Sequence, residues 1–334
     1  MNDVRDLTII GGGPTGLFAA FYGGLRGLSI RIVDSLPELG GQLMALYPEK
    51  YIYDVGGFRK VLAKDLARGL IEQAEQFDPE VIVDEEVRTL TRAGDDWVLG
   101  CRGGEYRSKA VIVAGGKGAF EPNVLKVPGY EELLHAGVHY AVKDPESYRG
   151  KRVALVGGGD SALDWALILK DVCTSVHLVH RRDGFRAHEN SVQQLETACD
   201  SGQVDLLTFH EVREIHGNGR VDGVTVFDNR TDEDRKIDVD AVLTFLGFKP
   251  DLGPIKEWGF ELDEKGRRIV VDQLMRTNLE GVWAAGDLAD YEGKLDLIAT
   301  GFGEAAIAAN QATRYVNPDA RVNPGHSTSN AAFK

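Results

Sequence analysis

Short apolar runs alternate with amphipathic stretches and glycine-rich turns along this 334-residue chain. Residues 7–10 form an apolar run that predicts a buried strand, residues 14–25 predict a helix, and residues 29–33 predict a second strand. The same order returns later as a strand at 152–156, a helix at 161–170 and the strand "SVHLVH". Two strand–helix–strand units predict parallel sheets covered by helices, which is the α/β class.

The remaining pattern predicts a nested order of two domains. Residues 110–120 form an apolar strand that runs into glycines and predict a crossing between domains, and residues 220–251 predict a hairpin with a polar turn followed by a strand that returns to the first domain. We therefore expect a first domain made of residues 1–118 and 246–334. The second domain is expected to be inserted as residues 119–245.

The first predicted unit contains a glycine loop at its strand-to-helix turn. Gly11, Gly13 and Gly16 have the G-x-G-x-x-G spacing, in which the first glycine permits a tight turn, the second lets the backbone approach a pyrophosphate, and the third lets helix and strand pack closely. The helix N-terminus offers N–H donors to the phosphates. Asp34 follows 18 residues after Gly16, where a carboxylate accepts the ribose hydroxyls. The alternative is a tight turn without a ligand.

The second unit differs at the position that follows its second strand. Gly157 and Gly159 form the turn, Ala162 replaces the third glycine, and Arg181 stands 19 residues later, where the first unit has Asp34. A cationic site binds a 2′-phosphate that an acid would repel. We therefore expect FAD on the first unit and NADP(H) on the second, held by Arg181, Arg182 and Arg186. The alternative for these arginines is a solvated basic patch.

A third candidate segment is "TNLEGVWAAGDLAD", which predicts a strand, then Gly286 and Asp287, then a loop and a helix beginning at residue 300. That helix N-terminus is expected to face a pyrophosphate, and Asp287 to accept a ribityl hydroxyl. The alternative is an ordinary β-turn, in which Gly-Asp is a common pair.

Composition narrows the function classes. The formal net charge of −14 disfavours nucleic acid and anionic membranes as partners. No apolar run reaches the length of a membrane span, and the first ten residues predict a strand, not a signal peptide. The three cysteines, Cys101, Cys173 and Cys199, show neither metal-ligand nor C-x-x-C spacing, so we expect no metal site and a reduced, cytoplasmic protein.

Several longer segments resemble the thioredoxin-reductase-like ferredoxin (flavodoxin)–NADP reductases. They are "GGGPTGLFAAFYGG", "LPELGGQLMALYPEKYIYDVGGF", "VALVGGGDSALDWAL", "HRRDGFRAHE", "AAGDLADYEGKLDLIATGFGEA" and "PGHSTSN". The resemblance implies two Rossmann-like, three-layer ββα dinucleotide-binding domains of the pyridine nucleotide-disulfide reductase type, with the NADP domain inserted in the FAD domain. It also implies FAD and NADPH/NADP+ as cofactors, ferredoxin or flavodoxin as partner, and a homodimer.

The resemblance further implies the site residues. Tyr47 and His326 are expected to stack on the two faces of the flavin, and Val87 to meet the adenine through its backbone. The full expected FAD set is Gly11, Gly13, Thr15, Gly16, Asp34, Gln42, Tyr47, Val87, Phe120, Gly286, Asp287, His326 and Thr328. The expected NADP set is Gly157, Gly159, Asp160, Ser161, His180, Arg181, Arg182 and Arg186.

One departure from thioredoxin reductases bears on the reaction. Their Cys-x-x-C relay corresponds to residues 141–144, which are Ala-Val-Lys-Asp and cannot exchange thiols. The resemblance therefore implies that FAD takes a hydride from NADPH and passes single electrons to ferredoxin or flavodoxin, or the reverse, with no catalytic protein residue. The alternatives are a cysteine-less NADPH oxidase or donor to a separate disulfide protein, and a non-enzymatic nucleotide-binding regulator.

Charge poses a difficulty for this hypothesis, because ferredoxins are acidic and so is this chain. We expect a local basic patch near the flavin to offset the repulsion. The candidate cations are Lys50, Arg59, Lys60 and Lys294.

Overall fold

The structure is a computed structural model in which residues 4–116, 118–323 and 325 are described. The strands in chain order are β1 Arg5–Ile10, β2 Ile30–Val33, β3 Tyr51–Ile52, β4 Val61–Leu62, β5 Glu80–Ile82, β6 Val87–Ala93, β7 Asp96–Cys101, β8 Gly104–Val113, β9 Ala119–Pro122, β10 Val138–His139, β11 Arg152–Gly157, β12 Ser175–His180, β13 Asp205–Thr208, β14 His210–Gly217, β15 Val221–Asp228, β16 Asp234–Ile237, β17 Ala241–Phe245, β18 Phe248–Asp251, β19 Ile269–Val270, β20 Val282–Ala284 and β21 Ala289–Asp290.

The helices are fewer and lie between these strands. They are α1 Pro14–Leu25, α2 Gln42–Ala45, α3 Ala63–Glu75, α4 Asp160–Leu169, α5 Glu189–Asp200 and α6 Ile298–Val316, with 3₁₀ turns at Pro145–Tyr148 and Gly253–Glu257. None of the helices in the described ranges is long and apolar enough to cross a membrane.

The chain forms two compact units, Met1–Phe120 with Pro250–Lys334, and Glu121–Lys249. In the first, β5, β2, β1, β8 and β20 form a parallel sheet in that order, and β6, β7 and β8 form an antiparallel meander. Helices α1, α3 and α6 pack with the sheet, and α1 lies against both α3 and α6. The first core is therefore closed by a strand and a helix from the C-terminal part of the chain.

The second unit repeats the plan. Its parallel sheet has the order β13, β12, β11, β17, β10, and β14, β15 and β16 form a separate antiparallel meander. One hydrophobic core cluster contains Trp165 and joins helices α4 and α5 to the sheet. A second cluster contains Tyr130 and joins the meander to the sheet. Helices on one side of a parallel sheet and a meander on the other confirm the predicted three-layer α/β class.

The local predictions agree with the structure in most elements. Helix α1 spans the predicted residues 14–25, with Pro14 at its first position, where a missing N–H costs nothing. The predicted hairpin is present as β15 and β16. The strand after it, Ala241–Phe245, lies inside the sheet of the second unit, paired with β11 and β10. Its buried apolar side chains fill the centre of that sheet, and the chain returns to the first unit at Pro250.

Candidate nucleotide-binding sites

The first glycine loop is built from close backbone contacts. Gly11 has a φ of 108°, and its N–H donates to the Val33 carbonyl at 2.8 Å. A Cβ on Gly11 would lie 2.5 Å from the Ala114 carbonyl oxygen, and one on Gly16 would lie 1.8 Å from the Gly11 oxygen. Any side chain at either position would collide with backbone, so the turn from β1 into α1 needs glycine at both.

A second glycine segment, which was not predicted from the sequence, lies on this loop. The Gly40 N–H donates to the Gly12 carbonyl at 2.9 Å, and Gly41, with a φ of 57°, would place a Cβ 2.8 Å from the Gly13 Cα. Two backbone segments without side chains, residues 12–13 and 40–41, therefore face each other at the start of α1. The signal in the sequence was the adjacent glycine pair before Gln42.

Asp34 directly follows β2 and lies beside this loop. Its side chain is 7% exposed, and its carboxylate accepts N–H bonds from Gly12 at 2.5 Å and Leu36 at 2.7 Å. Burial raises the pKa of the Asp34 carboxyl, although the Leu36 and Gly12 amides oppose the rise. A carboxylate has about four acceptor positions, and two amides leave room for ribose hydroxyls.

Val87 lies near the same strand end. It begins β6 and is buried, and the preceding Glu85 donates its N–H to the Asp34 carbonyl at 3.0 Å. Phe120 lies in β9, where only the backbone is described. His326 and Thr328 lie outside the described residues.

Gln42 and Tyr47 lie on the segment that follows the glycine pair. Gln42 begins α2, and its Nε2 would lie 3.5 Å from a Cβ on Gly116. Tyr47 is partly buried against the first core. Burial, then the carboxylates of Asp287 and Asp54, raise the pKa of Tyr47 to about 12. Tyr47 therefore lies within electrostatic range of Asp287 and is a neutral phenol at ordinary pH.

Thr15 connects the start of α1 to the start of α6. Its hydroxyl oxygen would lie 2.9 Å from a Cβ on Gly286 and 2.3 Å from one on Gly301. Gly286 has a φ of 84°. The structure thus brings the first glycine loop, the Gly286–Asp287 turn and the N-terminus of α6 together in one unit.

A buried polar network behind this turn was missed by sequence analysis. Glu304 is 2% exposed; its Oε2 accepts the Gly286 N–H at 2.7 Å, and its Oε1 accepts the Tyr291 hydroxyl at 2.7 Å and the Lys294 ammonium at 2.5 Å. Burial, then the Glu304 carboxylate, raise the pKa of Tyr291 to about 12. The signal in the sequence was Glu304, a single acid among the small and apolar residues at the start of α6.

The expectation that Lys294 is a surface cation is wrong. Its side chain is 3% exposed and paired with Glu304. The pairing satisfies a carboxylate that would otherwise be buried with uncompensated charge, so Lys294 is not available to a partner protein.

The second glycine loop is held by the segment that follows β12. Gly159 caps the N-terminus of α4, and Arg186 donates its N–H to the Gly158 carbonyl at 2.8 Å. Asp160, in the first turn of α4, accepts the His188 N–H at 2.9 Å. Gly157 and Ser161 flank this turn, at the end of β11 and in the first turn of α4.

His180 and the three arginines lie beside that loop. The imidazole of His180 lies against Gly158, where a Cβ would come within 2.0 Å of the ring, and stacks on Phe185 with centroids 4.9 Å apart. All three arginine side chains are exposed, and within the described part of the chain none forms an ion pair. The cationic groups are Arg181, Arg182 and Arg186.

The three cysteines are free thiols: Cys101 lies in β7, Cys199 lies in α5, and Cys173 lies between α4 and β12. Burial raises the pKa of Cys101 to about 12 and of Cys173 to about 11, and it also raises the pKa of Cys199. Because the thiolate is the reactive form, these protonated thiols are poor electron relays. Among the described residues there is no group of three or more His, Cys, Asp and Glu side chains arranged for a metal ion.

Comparison with known proteins gives consistent matches. The family model described as pyridine nucleotide-disulphide oxidoreductase matches residues 5–312. A protein of Thermus thermophilus named ferredoxin–NADP reductase is 53% identical over 331 residues, covering 99% of this chain and 98% of the relative. One from Shouchella clausii, named ferredoxin–NADP reductase 2, is 50% identical, with 98% of each chain covered.

Solved structures match over nearly the same length. Thioredoxin reductase of T. acidophilum superposes with a TM-score of 0.79 at 28% identity, covering 92% of this chain and 97% of that one. That of Lactococcus lactis gives a TM-score of 0.78 at 28% identity, covering 93% and 99%.

Proposed function

The chain belongs to the pyridine nucleotide-disulphide oxidoreductase family, and from this premise we propose that it is a ferredoxin–NADP+ reductase that uses FAD and NADP(H). The observation that carries the proposal is the pairing of two glycine loops with opposite charges beside them, a buried Asp34 at one and three exposed arginines at the other. Full-length relatives near 50% identity that bear this activity in their names support it.

The residues of the first unit fit FAD. Gly11 and Gly16 let β1 and α1 pack closely, and Gly13 and Gly41 keep side chains away from the start of α1, where helix amides without intrahelical acceptors attract a pyrophosphate. No acidic side chain stands in the first turn of α1 to repel it. We assign the FAD domain to residues 1–118 and 246–334, with Asp34 on the adenosine ribose.

The residues of the second unit fit NADP(H). Its loop resembles the first, but the segment after β12 places cations where the first unit has an acid. Guanidinium groups form paired, charge-assisted hydrogen bonds with a phosphate. We assign the NADP domain to residues 119–245, with Arg181, Arg182 and Arg186 on the 2′-phosphate.

Bound FAD supplies the chemistry that links two-electron and one-electron carriers. The protein's part is to bind and orient. Asp34 and the start of α1 would hold the nucleotide half, Asp287 would hold the ribityl region, and Tyr47 and His326 would cover the ring and exclude water. With a pKa of about 12, Tyr47 neither gives nor takes a proton at ordinary pH. The three protonated thiols take no part.

The finer assignments extend the same proposal. Ferredoxin or flavodoxin is the carrier, the protein acts as a homodimer, and it works in the cytoplasm. The carrier and the homodimer follow from the resemblance stated above, and the cytoplasmic location follows from the three widely spaced cysteines.

The deciding experiment is anaerobic stopped-flow reduction of the purified yellow protein by NADPH, followed by mixing with oxidised ferredoxin. We expect rapid flavin bleaching and then reduction of ferredoxin by one electron per molecule. Bleaching without onward transfer to ferredoxin or flavodoxin would favour the oxidase or disulfide-partner alternative. A bound nucleotide without bleaching would favour a regulator.

Because the Tyr47 hydroxyl stays neutral at ordinary pH, we expect it to contribute nothing to the pH dependence of the reaction. Tyr47→Phe keeps the ring and removes only the hydroxyl, so the pH profile of NADPH oxidation should match the parent between about pH 6 and 10. Tyr47→Ser serves as the comparison, because it removes the ring and is expected to weaken FAD retention. A new or shifted inflection in the Tyr47→Phe profile would show that the hydroxyl titrates during turnover.

A further inference from the structure

Three large aromatic side chains are exposed together in a short hairpin of the first unit. We call residues 50–62 the aromatic hairpin; its strands are β3 and β4. Tyr51 is 46% exposed, Tyr53 68% and Phe58 50%. The aromatic rings of Tyr51 and Tyr53 lie 6.5 Å apart. Neighbouring exposed aromatics are typical of surfaces that bind another protein.

The hairpin is also locally basic in an acidic chain. Residues 50–60 contain Lys50, Arg59 and Lys60 against one acid, Asp54, a net charge of +2 where the whole chain has −14. The Lys60 ammonium lies 4.4 Å from the centre of the Tyr51 ring. Glu49, just before the hairpin, is already neutralised by Lys64 at 2.6 Å. The cations and aromatic rings therefore form one surface.

This surface is tied to the proposed flavin site by short contacts. The Lys50 N–H donates to the Tyr47 carbonyl at 3.0 Å, and the Ala63 N–H donates to the Lys50 carbonyl at 2.8 Å. Tyr47 is within electrostatic range of Asp54 on the hairpin and of Asp287. Val55, 5% exposed, anchors the tip in the first core.

We propose that the aromatic hairpin is the docking surface for a small acidic one-electron carrier. Its aromatic rings supply apolar contact area, and Arg59 and Lys60 supply the attraction that the rest of the chain lacks. The proposal rests on the proposed function, since it needs electrons to leave through a carrier protein.

The test reverses the two exposed charges. In Arg59→Glu with Lys60→Glu, kcat/KM for ferredoxin should fall at least about tenfold at low ionic strength, with the difference shrinking as salt screens the charges. The matched control is Lys265→Glu with Arg267→Glu, which changes the net charge equally at an exposed turn elsewhere in the first unit. Tyr53→Ser with Phe58→Ser should lower kcat/KM at all salt concentrations.

Two further measurements separate the possible failures. NADPH-driven reduction of ferricyanide should remain at the parent rate in every variant, because a small acceptor needs no docking surface. If the parent reduces ferredoxin and the hairpin variants match the control, the docking proposal is wrong and the proposed function stands. If the parent reduces no carrier protein, both are wrong. If the variants lose a dimer in sedimentation but keep ferredoxin turnover, a second copy covers the hairpin and the docking proposal is overturned.

Discussion

Glu304→Leu, made alone, should lower the free energy of unfolding of the first unit by about 3–5 kcal/mol, because it leaves the Lys294 ammonium buried without a partner. It also leaves the Gly286 N–H and the Tyr291 hydroxyl without their acceptor. The measurement is unfolding in urea, monitored both by circular dichroism and by the release of FAD.

The control is the double variant Lys294→Met with Glu304→Leu. The double variant removes the unpaired Lys294 ammonium, so it should recover part of the lost stability; the rest stays lost because the Gly286 N–H and the Tyr291 hydroxyl still lack an acceptor. Glu304→Gln tests the Gly286 contact separately, because the amide oxygen still accepts an N–H. Equal losses in the single and double variants would show that the ion pair itself contributes little.

The second large effect concerns the choice between NADPH and NADH. Changing Arg181, Arg182 and Arg186 together to Ala should reduce kcat/KM of flavin reduction by NADPH about 100-fold or more, because hydrogen bonds to a charged phosphate are worth about 1.5–3 kcal/mol each. NADH lacks that phosphate, so its rate should change little and the preference should disappear. The backbone contact of Arg186 with Gly158 is kept by alanine.

Arg220→Ala is the control for this variant, because it removes an exposed cation from the same unit at a site away from the glycine loop. It should leave both rates unchanged. If the triple variant lost NADPH and NADH turnover equally, the arginines would be needed for the loop itself and not for recognition of the 2′-phosphate.

Much of the fold was predictable because it depends on short-range patterns. The spacing of Gly11, Gly13 and Gly16 reports a local turn whose backbone contacts admit no side chain, and α1 and β12 have the predicted bounds. The apolar run Ala241–Phe245 shows that a strand is buried, but it does not show which strands pair with it, and only the structure places it between β11 and β10.

Those parts of the site were predictable in which the role of a residue follows from its own type and from the residues next to it in sequence. Asp34 and the arginines follow strands, so their positions could be inferred by counting. The Lys294–Glu304 pair could not, since it depends on a loop that brings the ammonium back onto α6. An isolated lysine in sequence resembles a surface cation, and only the packing shows that it is enclosed.

The two sheets are completed at different points along the chain, and this has a consequence for synthesis on the ribosome. In the second unit every strand of the sheet lies within residues 138–245, whereas the first sheet needs β20, whose Val282 pairs with Val111. Synthesis runs from the N-terminus, and contacts distant in sequence form late. The inserted unit can therefore finish folding while the first, although begun earlier, still waits for its last strand and for α6. The nascent chain would expose the edge of β8 during that interval, which is when a chaperone would be most useful.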